Sequence, residues 1–91
     1  MGLKSTTVCL GYQQISGLSS ATALTVPSGA TLAVIVPETQ PVRWRDDGTA
    51  PTPTVGMPLG VAAVLSYDGD LKKIRFIEQT ASATLNISYY A

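Results

Sequence analysis

The stretch Thr84-Leu85-Asn86-Ile87-Ser88-Tyr89-Tyr90 decides the fold class. Leu85, Ile87 and Tyr89 fall on one side of an extended backbone and Asn86, Ser88 and Tyr90 on the other, the two-residue period of a strand with one face buried. The same alternation recurs through the rest of the chain. In Lys72 to Ile77, Ile74 and Phe76 face a core while Arg75 faces out. In Val42 to Asp46, Val42 and Trp44 share one side and Arg43 and Arg45 the other. In Thr7 to Gln14, Val8, Leu10 and Tyr12 point one way, with Thr7, Cys9, Gly11 and Gln13 opposite. Thr31 to Val36 is instead apolar and β-branched almost throughout, the pattern of a strand covered on both faces, and Pro37 is its stop.

Turn chemistry separates these runs. Val26-Pro27-Ser28-Gly29 closes a short strand at Ala23 to Val26, because proline presets φ and glycine accepts positive φ. Val61 to Tyr67 reads as a strand, and Tyr67-Asp68-Gly69-Asp70 as the hairpin turn joining it to Lys72 to Ile77. Thr49-Ala50-Pro51-Thr52-Pro53-Thr54 suits neither helix nor central strand, since alternate prolines remove donors and favour extended geometry. It is expected as an exposed, stiff arm. About seven strands at 8–12-residue spacing predict one all-β domain, a β-sandwich or barrel of jelly-roll or immunoglobulin-like type.

Composition narrows the function. The 91 residues hold a single core, and a domain this small hides only about 60–65% of the surface its unfolded chain exposes. Cys9 is the one cysteine and histidine is absent, so no intrachain disulfide forms and the commonest zinc ligand is missing. No cofactor or metal is expected, and oligomerisation remains the available route to durability. Six basic and six acidic residues cancel, which argues against nucleic acid as a partner. Only 13% of residues are charged, against about 25% in ordinary soluble domains. A neutral surface of this kind suits packing against copies of itself or a larger assembly. No stretch approaches the roughly 20 apolar residues of a membrane span, and no signal-peptide core is read in Met1 to Ile15. The lack of disulfides suits a reducing cytoplasm.

Candidate chemistry is sparse. Without histidine, a nucleophilic serine would need lysine or a carboxylate as its base, and Lys4, Lys72 and Lys73 sit in no such motif; they read as solvated surface groups and the chain as no enzyme. Asp46-Asp47 and Asp68-x-Asp70 offer oxygen ligands for a hard cation. Each lies beside glycine, where turn-forming hydrogen bonds are the simpler account. Cys9 is expected to be an inert, partly buried thiol. Asn86-Ile87-Ser88 matches a glycosylation sequon but falls inside a strand and is discounted. Trp44 is expected as a core anchor. Arg43, Arg45, Asp47, Pro51, Pro53 and Tyr90 are the candidates for an interface, since arginine fixes register through planar bidentate pairing. The alternative use of Trp44 or a tyrosine is as a platform for stacking a sugar, which would make the chain a carbohydrate- or surface-binding module.

From about Thr25 to Tyr90 the chain resembles a group of small bacteriophage and prophage structural proteins. The specific part is Val42-Arg43-Trp44-Arg45-Asp46-Asp47-Gly48-Thr49-Ala50-Pro51-Thr52. Around it lie Val26-Pro27-Ser28-Gly29-Ala30-Thr31, Val55-Gly56-Met57-Pro58-Leu59, Tyr67 to Leu71, Ile74-Arg75-Phe76-Ile77 and Leu85 to Tyr90. Residues 1–24, an N-terminal strand or arm, fall outside the resemblance. It implies a virion role such as capsid decoration or a head, neck or tail accessory, in a protein made in the bacterial cytoplasm. The partners it implies are the chain itself and other virion proteins such as capsid or tail components. A cyclic trimer or other closed oligomer is the economical expectation.

Overall fold

A computed structural model describes residues 7–91, and over that range the chain is all-β. Its strands are β1 (Cys9–Ile15), β2 (Thr22–Ala23), β3 (Leu32–Glu38), β4 (Val42–Arg45), β5 (Met57–Leu59), β6 (Leu65–Tyr67), β7 (Arg75–Glu78) and β8 (Thr84–Tyr90). They form two four-stranded antiparallel sheets, β1-β8-β3-β6 and β2-β7-β4-β5, which we term the first and second sheets. The fold is a small β-sandwich. Lys4 and the beginning of the N-terminal segment lie outside the described residues.

The stretch Thr84 to Tyr90 behaves as its alternation demands. Leu85, Ile87 and Tyr89 are fully enclosed, and the residues between them are half-buried. β8 lies between β1 and β3, with Ile35 opposite Ile87 and Ala33 opposite Tyr89 on the inward side. The second sheet answers with Val42, Leu59 and Phe76. Leu18, Leu24, Leu71, Ile74 and Ala83, from connecting segments, close the core. Tyr89, only 1% exposed, donates its hydroxyl to Gln13 Oε1 at 2.7 Å. That bond removes the cost of an unpaired buried hydroxyl.

Several local expectations are corrected. β3 runs through Pro37 to Glu38 rather than stopping at the proline. The Pro37 carbonyl accepts from Ala62 N at 2.9 Å on the β6 side of the strand. Pairing with β6 covers only Ala33 to Ile35, so the donor that proline lacks falls where no ladder partner stands. β3 is not equally covered on both faces either: Val34 and Val36 stay half-exposed on the outer side. In β1 the register shifts between Cys9 and Gly11. The extra residue reverses the expected facing beyond it, because side chains alternate strictly along a strand. Gln13 therefore turns inward and Tyr12 is 64% exposed; Val8, ahead of the shift, is 58% exposed.

Further differences concern connections. Tyr67-Asp68-Gly69-Asp70 is no hairpin: β6 belongs to the first sheet and β7 to the second, so the segment crosses the sandwich. Only Leu65 to Tyr67 of the run from Val61 is strand. β5 was not foreseen at all, since Met57-Pro58-Leu59 carries a proline; the strand is an edge, where proline is tolerated. The Thr-Pro segment is a folded turn, not a projecting arm. Thr52 and Val55 exchange backbone hydrogen bonds, at 2.9 and 3.2 Å, and Pro51 is buried.

Candidate functional site

The segment Arg43 to Asp47 sits on β4 and the bend after it. Val42 is buried and Trp44 half-buried against the core, its ring 6.0 Å from that of Tyr67 and tilted by 60°. Trp44 thus anchors the rim of the core rather than its centre. Tyr67, which sequence reasoning did not connect to this segment, donates its hydroxyl to Asp46 Oδ2 at 2.6 Å. Burial, reinforced by that bond, pushes the Tyr67 phenol up to about 12. The phenol end of the ring lies against Gly69, where a Cβ would stand 2.4 Å from the hydroxyl oxygen, so a side chain there would have to displace the phenol.

Arg43 and Arg45 share the outer face but have different partners. Arg43 donates from Nε to the Pro53 carbonyl at 3.1 Å and from Nη1 to the Gly56 carbonyl at 2.9 Å, which folds the Thr-Pro turn back onto β4. Gly56 makes this possible. Its φ is +144°, and a Cβ there would stand 3.1 Å from the Trp44 carbonyl and 3.3 Å from both Arg43 Cβ and Pro51 Cβ. Arg45 grips Asp47 in a fork, Nε to Oδ1 at 3.0 Å and Nη2 to Oδ2 at 2.5 Å. The guanidinium holds the Asp47 carboxyl down at about 2. Asp47 also accepts from Thr49 N, and Asp70 from Lys72 N, which is the turn chemistry expected of both acidic pairs. Of the proposed interface residues, Arg43, Arg45, Asp47 and Pro53 are gathered at one corner of the second sheet. Pro51 lies buried beneath it, and Tyr90 is on the other sheet.

That other sheet has a different surface. Glu38 is the only charged residue in its four strands, whereas Arg43, Arg45, Arg75 and Glu78 lie in those of the second sheet. Its outer face centres on Asn86, whose amide is fully used. Oδ1 accepts from Tyr12 Oη at 2.5 Å and Gln14 Nε2 at 3.0 Å, while Nδ2 donates to Glu38 Oε1 at 2.9 Å. Nearby, Ser88 Oγ donates to the Tyr90 hydroxyl at 3.1 Å. Half-exposed Val34 and Val36 complete a face across β1, β8 and β3 that is neutral apart from Glu38 at its end. Cys9 belongs to this side and is exposed rather than partly buried, because it precedes the register shift at the margin of the sheet. Sequence reasoning singled out Tyr90 here but missed Tyr12, Gln14 and Asn86. The one available signal was the absence of charge from Thr7 to Thr25 and from Gln79 to Ala91.

A third feature lies at one end of the sandwich. Thr39, Ala62 and Ser82 all have positive φ, at 72°, 65° and 74°. Thr39 Oγ1 donates to the Ser82 carbonyl at 2.7 Å, and the Ala62 amide bonds to Pro37, which gathers the three at one place. Val61 and Val64, on the same loop, are 50% and 63% exposed.

Comparisons with protein-family models, with curated proteins and with solved structures find no match to this chain.

Proposed function

We propose that the chain is a non-catalytic structural protein of a phage-type particle, one that self-associates and decorates or joins a larger assembly as a capsid-decoration or head–tail accessory subunit. The observation that carries this reading is the partition of charge. The outer face of the first sheet carries one charge, Glu38 at the end of β3, and is otherwise tyrosines and valines among hydrogen-bonded amides and hydroxyls, while the remaining charge of the described strands collects on the opposite sheet. The centres of protein interfaces are depleted in charge and enriched in tyrosine in the same way. The Arg-Trp-Arg-Asp-Asp-Gly-Thr-Ala-Pro-Thr segment supports the phage assignment through the resemblance described above. A sugar-stacking role would need an open Trp44 face, and that ring is packed against Tyr67 and the core.

The test is sedimentation of the purified chain over a wide concentration range, combined with the identity of the neighbouring genes. Reversible association, with capsid, portal or tail genes alongside, is the expected result. A chain that stays monomeric at every concentration, encoded away from any particle gene, would sink the reading.

A further inference from the structure

The sandwich has four edge strands, and they are not equally protected. β2 has two residues, β6 has three, and β5 has three including Pro58. Such edges are too short or too poor in donors to recruit another strand. β1 is different: it has seven residues, Cys-Leu-Gly-Tyr-Gln-Gln-Ile, with no charge and no proline. Its one irregularity, the register shift between Cys9 and Gly11, leaves Gly11 to Ile15 in regular pairing with β8.

The direction of the unused backbone groups follows from β8. Val8 and Ala91 exchange hydrogen bonds in both directions, at 3.0 Å, and Tyr90 O accepts from Thr31 at 2.9 Å. Ala91 therefore faces β1 and Tyr90 faces β3, and alternation along β8 turns Tyr89, Ile87 and Leu85 toward β1. Their partners Gly11, Gln13 and Ile15 spend their backbone groups on β8. Tyr12 and Gln14 are left with N–H and C=O aimed at the open edge, where no described residue meets them.

We propose that this edge is completed by β1 of a second copy, antiparallel, about a two-fold axis through Gln13. The proposal rests on the self-association reading above and names its contact. The register is dictated by the groups available: Tyr12 exchanges bonds with Gln14 of the second copy, and Gln14 with Tyr12. Gln13 meets Gln13, and Gly11 meets Ile15, with no charge in any pair. An isologous contact needs this self-complementarity, because each strand must serve as both template and guest. Paired residues in a ladder face the same side, so Tyr12 and Gln14 continue the neutral outer face across the axis. The two first sheets become one eight-stranded sheet. The unit is a two-fold dimer, one of the closed oligomers expected from sequence. A ladder this short buries less than the roughly 1,000 Å² of a lasting interface, so it forms weakly in dilute solution and fills where copies are held close together.

Sedimentation velocity from about 10 μM to about 1 mM covers the affinities such a contact can have. Tyr12→Lys places like charges on either side of the axis, and Gln14→Pro deletes one outward donor without touching the β8 ladder. We expect a reversible dimer whose dissociation constant rises at least tenfold in each variant, with far-UV circular dichroism unchanged. Should either variant fail to fold, cysteines decide the register. In a Cys9→Ser background, Tyr12→Cys with Gln14→Cys brings thiols opposite one another at about 5.5 Å between Cα atoms, within disulfide reach. Oxidation then gives a covalent dimer that Tyr12→Cys alone does not. Association untouched by these changes, with no register-specific cross-link, overturns the edge contact and leaves self-association standing through another surface. A strict monomer overturns both.

Discussion

Trp44 and Phe76 stand opposite each other across the second sheet, and their different enclosure sets different energies. Phe76 has no solvent exposure, so Phe76→Ala should cost about 3–5 kcal/mol, a fully enclosed ring replaced by a cavity. Trp44 is half-exposed at the rim, so Trp44→Ala should cost about 2 kcal/mol and also free Tyr67. Chemical denaturation of both variants measures the ordering, and a larger loss at Trp44 would mean that the rim carries the core. The tyrosines make a second residue-scale prediction. Burial pushes Tyr67 and Tyr89 up to about 12 from an ordinary 10.0. A phenol whose folded value lies above its unfolded one adds stability that is complete below pH 10 and lost as pH climbs toward 12. Melting temperature should fall through that window, together with phenolate absorbance. A flat profile from pH 10 to 12 would show that neither hydroxyl is shielded.

Arg43 changes the meaning of an element. From alternation alone it belongs to an outer face and is available to a neighbour; in the fold its guanidinium ties Pro53 and Gly56 to β4. Arg43→Ala should cost about 1–2 kcal/mol, since hydrogen bonds to a charged donor exceed neutral ones but these are partly solvated. Amide exchange across residues 52–56 should accelerate while the β8 amides keep their protection. Exchange unchanged in that turn would show that Gly56 and buried Pro51 hold it unaided. The same contrast explains what was legible in the sequence. Alternation over Thr84 to Tyr90 and at Val42, Ile74 and Phe76 correctly located the inward residues, because period and burial are coupled residue by residue. Strand partners were hidden, since Tyr67-Asp68-Gly69-Asp70 has hairpin chemistry whether the chain returns to the same sheet or crosses to the other. β1 defeated the alternation through a single inserted residue. The neutral face was only dimly visible, because its members come from segments some 70 positions apart, as Tyr12 and Asn86 show.

At the scale of the molecule, pairing is almost entirely non-local. β1 is hydrogen-bonded to β8, and β3 to β8, so each ladder of the first sheet's centre closes a long stretch of chain. Sheet proteins of this kind fold in milliseconds to seconds, and stopped-flow refolding followed through Trp44 should give a rate in that range. Microsecond folding would mean that local turns, not these ladders, set the barrier. The position of β8 has a consequence for synthesis. A ribosome delivers β1 and β3 early; β3 can pair with β6 before the chain is finished, but β1 has no neighbour until β8 emerges. The nascent chain therefore carries an uncharged, unmatched β1 throughout its elongation, available to a chaperone or to the β1 of an adjacent chain on the same message.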